Sequence, residues 1–154
     1  MNEAQTPSLF DAAENRALVA RISRLSADAR PQWGKLSVSR MLVHCQRPLE
    51  VATGELKLQR NLIGFLFGGL AKRKLTQPGP FSRNMPTAPQ FKVAEEPEFG
   101  AARAGLVRLV ERFAAEGPGV LSRDPHPFFG PLTQQEWDTL QWKHLDHHLR
   151  QFGV

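Results

Sequence analysis

The chain is predicted to be all-α, an antiparallel four-helix bundle with a long irregular connection between its second and third helices. Three observations predict this. Four stretches carry apolar residues at helical spacing, no segment alternates with the two-residue period of a strand, and most of the helical stretches carry their own start or stop signals. Four long helices joined by longer connections are most simply arranged as a bundle. The whole of 1–154 is read as one domain, with 56–94 as an irregular basic insert.

The first helix is expected over Ala12–Leu25. Phe10, Ala13, Ala17, Leu18, Ile22 and Leu25 share a face, and Arg16, Arg21 and Arg24 lie elsewhere on the wheel. Pro31 and Gly34 mark Ala27 to Leu36 as a loop. Ser37 is the expected N-cap of a second helix over Val38–Thr53, with Met41, Leu42, Cys45, Leu49 and Ala52 on its apolar side. Pro48 lies inside it and offers no N–H to the carbonyl of His44, so a kink centred on His44 is expected. Gly54 to Pro97 reads as irregular. Within it, the apolar run Leu62–Phe67 is a candidate short helix, and Thr76 to Pro89, with four prolines, reads as a long loop. A third helix is expected over Glu98–Glu116, its start favoured by Glu95, Glu96 and Glu98 and its end set by Gly117-Pro118-Gly119.

The fourth helix has the best start signal. Thr133-Gln-Gln-Glu136 is a capping box, and Leu132 and Trp137 are spaced for a hydrophobic staple. At about 100° per position its residues fall into three arcs. Gln135, Glu136, Thr139, Lys143, Asp146 and Arg150 form an arc expected to be solvated. Trp142, Leu145, Leu149 and Phe152 form an apolar arc, which suits either the core or a second copy of the chain. Between them run Trp137, Leu140, Gln141, His144, His147, His148 and Gln151. Three imidazoles on an arc that begins apolar are an odd choice for packing alone, because a buried polar group without a partner costs roughly 1–3 kcal/mol.

Composition bounds the function. The chain has 154 residues, 41% hydrophobic and 23% charged, as an ordinary globular protein does. No apolar run is long enough to span a bilayer, so no transmembrane segment is expected. The N-terminus lacks the basic and apolar regions of a secretory signal, and Cys45 is the only cysteine; a reducing, cytoplasmic setting is expected. The net charge of +5 is uneven: Leu56 to Ala94 holds seven cations and no acidic residue. Its cations are broken up by glycine and apolar runs and accompany no nucleic-acid reader motif, which argues against nucleic acid as partner.

The chemistry concentrates in His144-Leu-Asp-His147-His148-Leu-Arg-Gln151. His144 and His148, four apart on a helix, sit one turn apart on one face and can grip one metal ion. The zinc-protease form of this pair needs Glu after the first His, where this chain has Leu145, so that reading is excluded. A third imidazole must come from upstream. His44 suits a bundle interior, while His126 is pinned between prolines in a loop. Cys45 lies about 100° round the helix from His44 among apolar neighbours, which makes it a poor nucleophile.

These residues carry a resemblance. One His in the second helix, His44, followed by His144-Leu-Asp-His-His148-Leu-Arg-Gln151 in the last, resembles the DinB-like metal-binding four-helix bundle superfamily. Trp33-Gly-Lys-Leu-Ser37, Met41-Leu-Val-His44-Cys-Gln46 and His126-Pro-Phe-Phe-Gly130 resemble an uncharacterised branch of it. The resemblance implies a bundle, often a homodimer, with His44, His144 and His148 on a divalent metal. Related members include thiol-dependent S-transferases and a maleylpyruvate isomerase, in which the metal is thought to bind a low-molecular-weight thiol as thiolate. All-nitrogen ligation suits zinc, nickel, iron or copper and does not choose among them; zinc or nickel is the first expectation, with iron next. Three imidazoles leave coordination positions open, as catalytic sites do.

The expected function is therefore a divalent-metal-dependent enzyme that activates a thiol or water toward a small electrophilic substrate. The basic segment Lys57–Lys92, with its loop near Arg83 and Asn84, is a candidate cover over the site that would attract an anionic substrate, against the plainer reading of a solvated flap. Two alternatives stand beside the enzyme: a non-catalytic metal-binding or interaction bundle, and a binder of anionic surfaces through 57–92, with Leu62–Phe67 touching a membrane.

Overall fold

The computed structural model describes residues 6–59, 69 and 71–154 and is all-helical, with no strand among the described residues. Four long helices carry the fold: α1 (Ala12–Ser23), α2 (Val38–Thr53), α3 (Phe99–Glu116) and α4 (Gln134–Gln151). Helix α1 ends two residues earlier than its apolar pattern suggests. Arg24 caps it, and Leu25 is buried outside the helix.

The start signals work as their chemistry requires. Asp11 accepts from the N–H groups of Ala13 and Glu14, and Ser37 from that of Arg40. Glu98 caps α3 by accepting from Gly100 and Ala101, so it precedes the helix instead of opening it. Glu96 serves α2 instead, accepting a hydrogen bond from the Ser37 hydroxyl and pairing with Arg40. Both halves of the Thr133–Glu136 capping box are formed. Helix α2 continues through Pro48 to a left-handed Gly54.

Helices α1 and α2 each pack on both α3 and α4. One apolar cluster joins all four, with Ile22, Leu42, Leu106, Phe113 and Leu149 essentially closed to solvent. Polar ties fix the arrangement. Asn15 donates to the carbonyls of Leu9 and Val110 at 2.8 and 2.7 Å. Buried Asp146 binds Arg21 at 2.8 Å and Arg150 at 2.9 Å. Gly105 lets α3 approach α2: a Cβ there would lie 2.9 Å from the Gln46 carboxamide, which donates to the Ala102 carbonyl.

Two expectations need correction. The arc of α4 read as solvated is half covered: Thr139, Lys143 and Asp146 are buried, while Gln135 and Arg150 are exposed. The reason is the connection between α2 and α3, which lies across α4 where a lone helix would meet water. Lys143 Nζ donates to the Gln77 carbonyl at 2.6 Å and sits 4.8 Å from the centre of the Phe81 ring. That connection is also less irregular than its prolines suggest. Residues 71–76 are helical, and Pro89–Phe91 form a 3₁₀ turn. The run Leu62–Phe67 lies outside the described residues. The apolar arc of α4 is in the chain's own core: Leu145, Leu149 and Phe152 are buried there, and Trp142 packs against it.

Candidate functional site

Helix α2 contributes His44, and α4 contributes His144 and His148 one turn apart. Their ligating nitrogens lie within 4.8 Å of one another, a grouping that could hold a metal ion. The Nε2 atoms of His44 and His144 are 3.0 Å apart. Two nitrogens bound at 2.0–2.1 Å to one tetrahedral ion stand about 3.3 Å apart, so this spacing is close to that of a ligand pair.

The far side of two rings is held by hydrogen bonds. His44 Nδ1–H donates to the Phe91 carbonyl at 3.0 Å, which leaves Nε2 with its lone pair. His148 Nδ1–H donates to Gln151 Oε1 at 2.8 Å, and Gln151 Nε2 donates in turn to the Trp33 carbonyl at 2.9 Å. Such partners fix the tautomer and aim of an imidazole. Phe91 sits on the 3₁₀ turn that ends the connection, so its carbonyl is presented by a segment that carries no helical or motif signal. A backbone acceptor leaves no mark on residue type, and nothing in the sequence pointed to it.

The site keeps its imidazoles neutral. Burial lowers the pKa of His44, against a raising hydrogen bond to Phe91. His144 is driven well below the usual histidine range by burial, then by the charges of His148, His44 and His147. His148 is brought to about 3 by burial and by His44, partly offset by Gln151. Neutral imidazole is the form that binds a metal, so little free energy is lost in deprotonation.

The other two histidines are not in this ligand grouping, although the His147 ring lies 5.1 Å from that of His148. His147 faces Trp33 at 5.6 Å and Phe81 at 6.0 Å between ring centres. His126 is buried in the loop before α4, stacked on Phe129 at 4.4 Å and near Trp137. Its Nδ1 accepts from the N–H groups of Phe128 and Phe129, and His126 and Gly130 exchange backbone hydrogen bonds that pinch the loop. Burial lowers its pKa to about 4.

The trio opens onto a cleft of about 400 Å³, walled by Phe81, Phe91, Phe128, Phe129 and Leu140. The connection supplies part of the wall through Phe81, Asn84 and Met85, so the loop near Arg83 and Asn84 borders the cleft. Arg83 itself turns away, stacking on the Trp33 ring at 4.1 Å. Other cations of the segment are engaged within the chain: Lys72 with Glu136 and the Pro131 carbonyl, Lys57 with Asp124. Arg60 lies outside the described residues, and Arg73, Lys74 and Lys92 are exposed. Gln141, on the cleft wall one turn before His144, is 1% exposed, and its Nε2 has no hydrogen-bond partner. Burial pushes the Cys45 thiol up, and its sulfur contacts only Met41 among polar partners, in keeping with an inert core thiol.

No helix among the described residues is long and apolar enough to cross a membrane. No curated protein and no solved structure matches the chain. A family model does, over residues 9–153, nearly its full length, and includes every histidine of the site. The chain therefore belongs to the family described as protein of unknown function (DUF1569).

Proposed function

We propose that this chain is a divalent-metal-dependent enzyme in which His44, His144 and His148 hold zinc, nickel or iron and the cleft receives a small electrophilic substrate. The observation that carries this reading is the convergence of three neutral imidazoles, two with Nδ1 tied to an acceptor, at the wall of an apolar cleft. A structural site closes its coordination with protein ligands, whereas three ligands beside a cleft leave room for a reactant. When bound, a divalent ion in such a site lowers the pKa of a water or thiol and supplies a nucleophile at neutral pH. The chain's own work is to orient the ligands through Phe91 and Gln151 and to exclude water with Phe81, Phe91 and Phe128. A low-molecular-weight thiol is the proposed cosubstrate, in line with the resemblance to DinB-like S-transferases.

With this reading go an antiparallel four-helix bundle of the DinB-like type, formed as one domain, and a cytoplasmic setting. The shared packing of α1 and α2 on α3 and α4 supports the bundle, and the lone, buried Cys45 fits a reducing compartment.

Elemental analysis of protein purified without a metal-affinity tag tests the site. It is expected to find about one divalent ion per chain. His44→Ala, His144→Ala and His148→Ala each lose it, while His126→Ala and His147→Ala keep it. Equal metal content in all five variants would sink the assignment. A panel of thiols with small electrophiles then separates an enzyme from an inert metal binder, which would turn over none of them.

A further inference from the structure

We infer that Gln141 reads the ligand: its carboxamide N–H donates to the oxygen of a neutral, carbonyl-bearing apolar molecule held in the cleft beside the three histidines. This deepens the reading above. It rests on that reading only for where the ligand reacts, not for how it is recognised.

Three buried side-chain nitrogens among the described residues lack a hydrogen-bond partner: Arg40 Nε, Gln141 Nε2 and Trp142 Nε1. Gln141 is the one of these that lines the histidine cleft. Its surroundings close it to bulk water, since the residue is 1% exposed. A buried donor left without an acceptor is costly and calls for a reason. In helix α4 Gln141 stands three residues before His144 and seven before His148, on the same face. The rise to His144 is about 4.5 Å along the axis. A molecule with one end at the histidines therefore carries its carbonyl about one helical turn away. The terminal torsion of a glutamine is soft, so an oxygen arriving from the cleft can draw the N–H to its side.

The lining fixes the class of ligand further. The walls are mainly phenylalanine, leucine and methionine; among the described residues no carboxylate lines the cleft, and the one charged lining residue is Lys35, exposed at the rim. An amide donor without a buried cationic side chain beside it suits a neutral carbonyl oxygen better than a carboxylate, whose desolvation it would not offset. His126 borders the same cleft. Because its Nδ1 accepts two backbone N–H groups, the neutral ring carries its proton on Nε2, a second donor of the same character. Specific pockets of this kind combine apolar walls with a few placed polar groups.

The test uses the full chain stripped of metal by a chelator, with acetophenone, ethylbenzene and benzoate as probes. Acetophenone is expected to bind about tenfold more tightly than ethylbenzene, as one hydrogen bond to a buried donor implies, and more tightly than benzoate. In Gln141→Met the acetophenone preference over ethylbenzene disappears, and the melting temperature stays level or rises, because an unpaired polar group has been replaced by an apolar one of similar length. In the wild type, acetophenone moves the Gln141 side-chain amide protons downfield and ethylbenzene does not, a readout that needs no variant. Equal binding of acetophenone and ethylbenzene, a preference that survives Gln141→Met, unmoved amide protons, or a destabilised Gln141→Met would each overturn the inference. Tighter binding of benzoate would overturn its neutral-ligand part. Since no metal is present, these outcomes are separate from the metal content on which the proposed function stands.

Discussion

At the scale of single residues, the site depends on imidazoles that burial keeps neutral, and this makes folding pH-dependent in a direction that can be worked out. His126 has a folded pKa of about 4, pushed down by burial, against about 6.5 for an unfolded histidine. Between those values the unfolded chain binds a proton that the folded chain does not. Stability from this residue is therefore complete above pH 6.5 and is lost as pH falls toward 4. The gap corresponds to roughly 3 kcal/mol. Asparagine at this position keeps an acceptor for the N–H groups of Phe128 and Phe129 and removes the titrating group. In urea unfolding of chelator-treated protein, wild type loses more stability between pH 7 and 4.5 than His126→Asn does, by roughly 2–3 kcal/mol. Parallel losses in the two proteins would show that His126 is not held neutral. The pairing of His144 with His148 was legible as a four-residue spacing, and so was the candidacy of His44. The preference for His44 over His126 was legible in the helix and apolar border that carry His44 and in the proline-pinned loop that carries His126, but the approach of the His44 ring to His144, 100 positions away, was not, because it depends on how α2 and α4 pack.

At the scale of elements, sequence signals for helix ends translated closely because they act within one turn. Ser37, Glu98 and the Thr133–Glu136 pair all bond to backbone three residues away or fewer. The tie between the 27–36 loop and the end of α4 is of another kind. The Gln32 N–H donates to the Gln151 carbonyl at 2.7 Å, and the Gln151 side chain donates to the Trp33 carbonyl. Gly34 follows at φ +75°, where a Cβ would stand 3.0 Å from Gln151 Nε2. The glycine thus serves both the turn and the residue that orients His148. Gly34→Ala is expected to cost about 1–2 kcal/mol for the left-handed backbone and to displace Gln151. Zinc affinity, measured by competition with a chromogenic chelator, then falls about tenfold or more, the usual effect of losing an orienting partner. A variant that loses stability but binds zinc as tightly as wild type would mean that Gln151 does not hold His148 in its binding pose.

At the scale of the whole molecule, the least legible part of the chain is the one that completes the cleft. The 77–88 stretch has the prolines of a loop and none of the periodicity that betrays a core element, so its place on α4 follows only from contacts between residues some sixty positions apart. Those contacts also explain why Lys143, a long cation on a helix face that reads as solvated, is buried: its stem and ammonium serve the connection, through the Gln77 carbonyl and the Phe81 ring. Phe81 in turn stands 6.5 Å from His144 and 6.0 Å from His147 between ring centres. The cover, the helix and the histidines are then one mechanical unit, and Lys143 is the residue whose loss separates them with least harm to the core. Lys143→Met keeps the apolar stem and removes the charged donor. A hydrogen bond from a charged group contributes about 1.5–3 kcal/mol, so the opened connection becomes at least about tenfold more populated. Cleavage of a transiently opened segment follows that population when closing is fast. Chymotrypsin is therefore expected to cut the bond after Phe81 about tenfold faster in Lys143→Met than in wild type, followed by mass spectrometry of the intact chain, while α4 itself stays uncut. Equal rates at that bond would mean that the connection is held over the site by its other contacts, and that Lys143 is buried as a consequence of the fold instead of as the anchor of the cover.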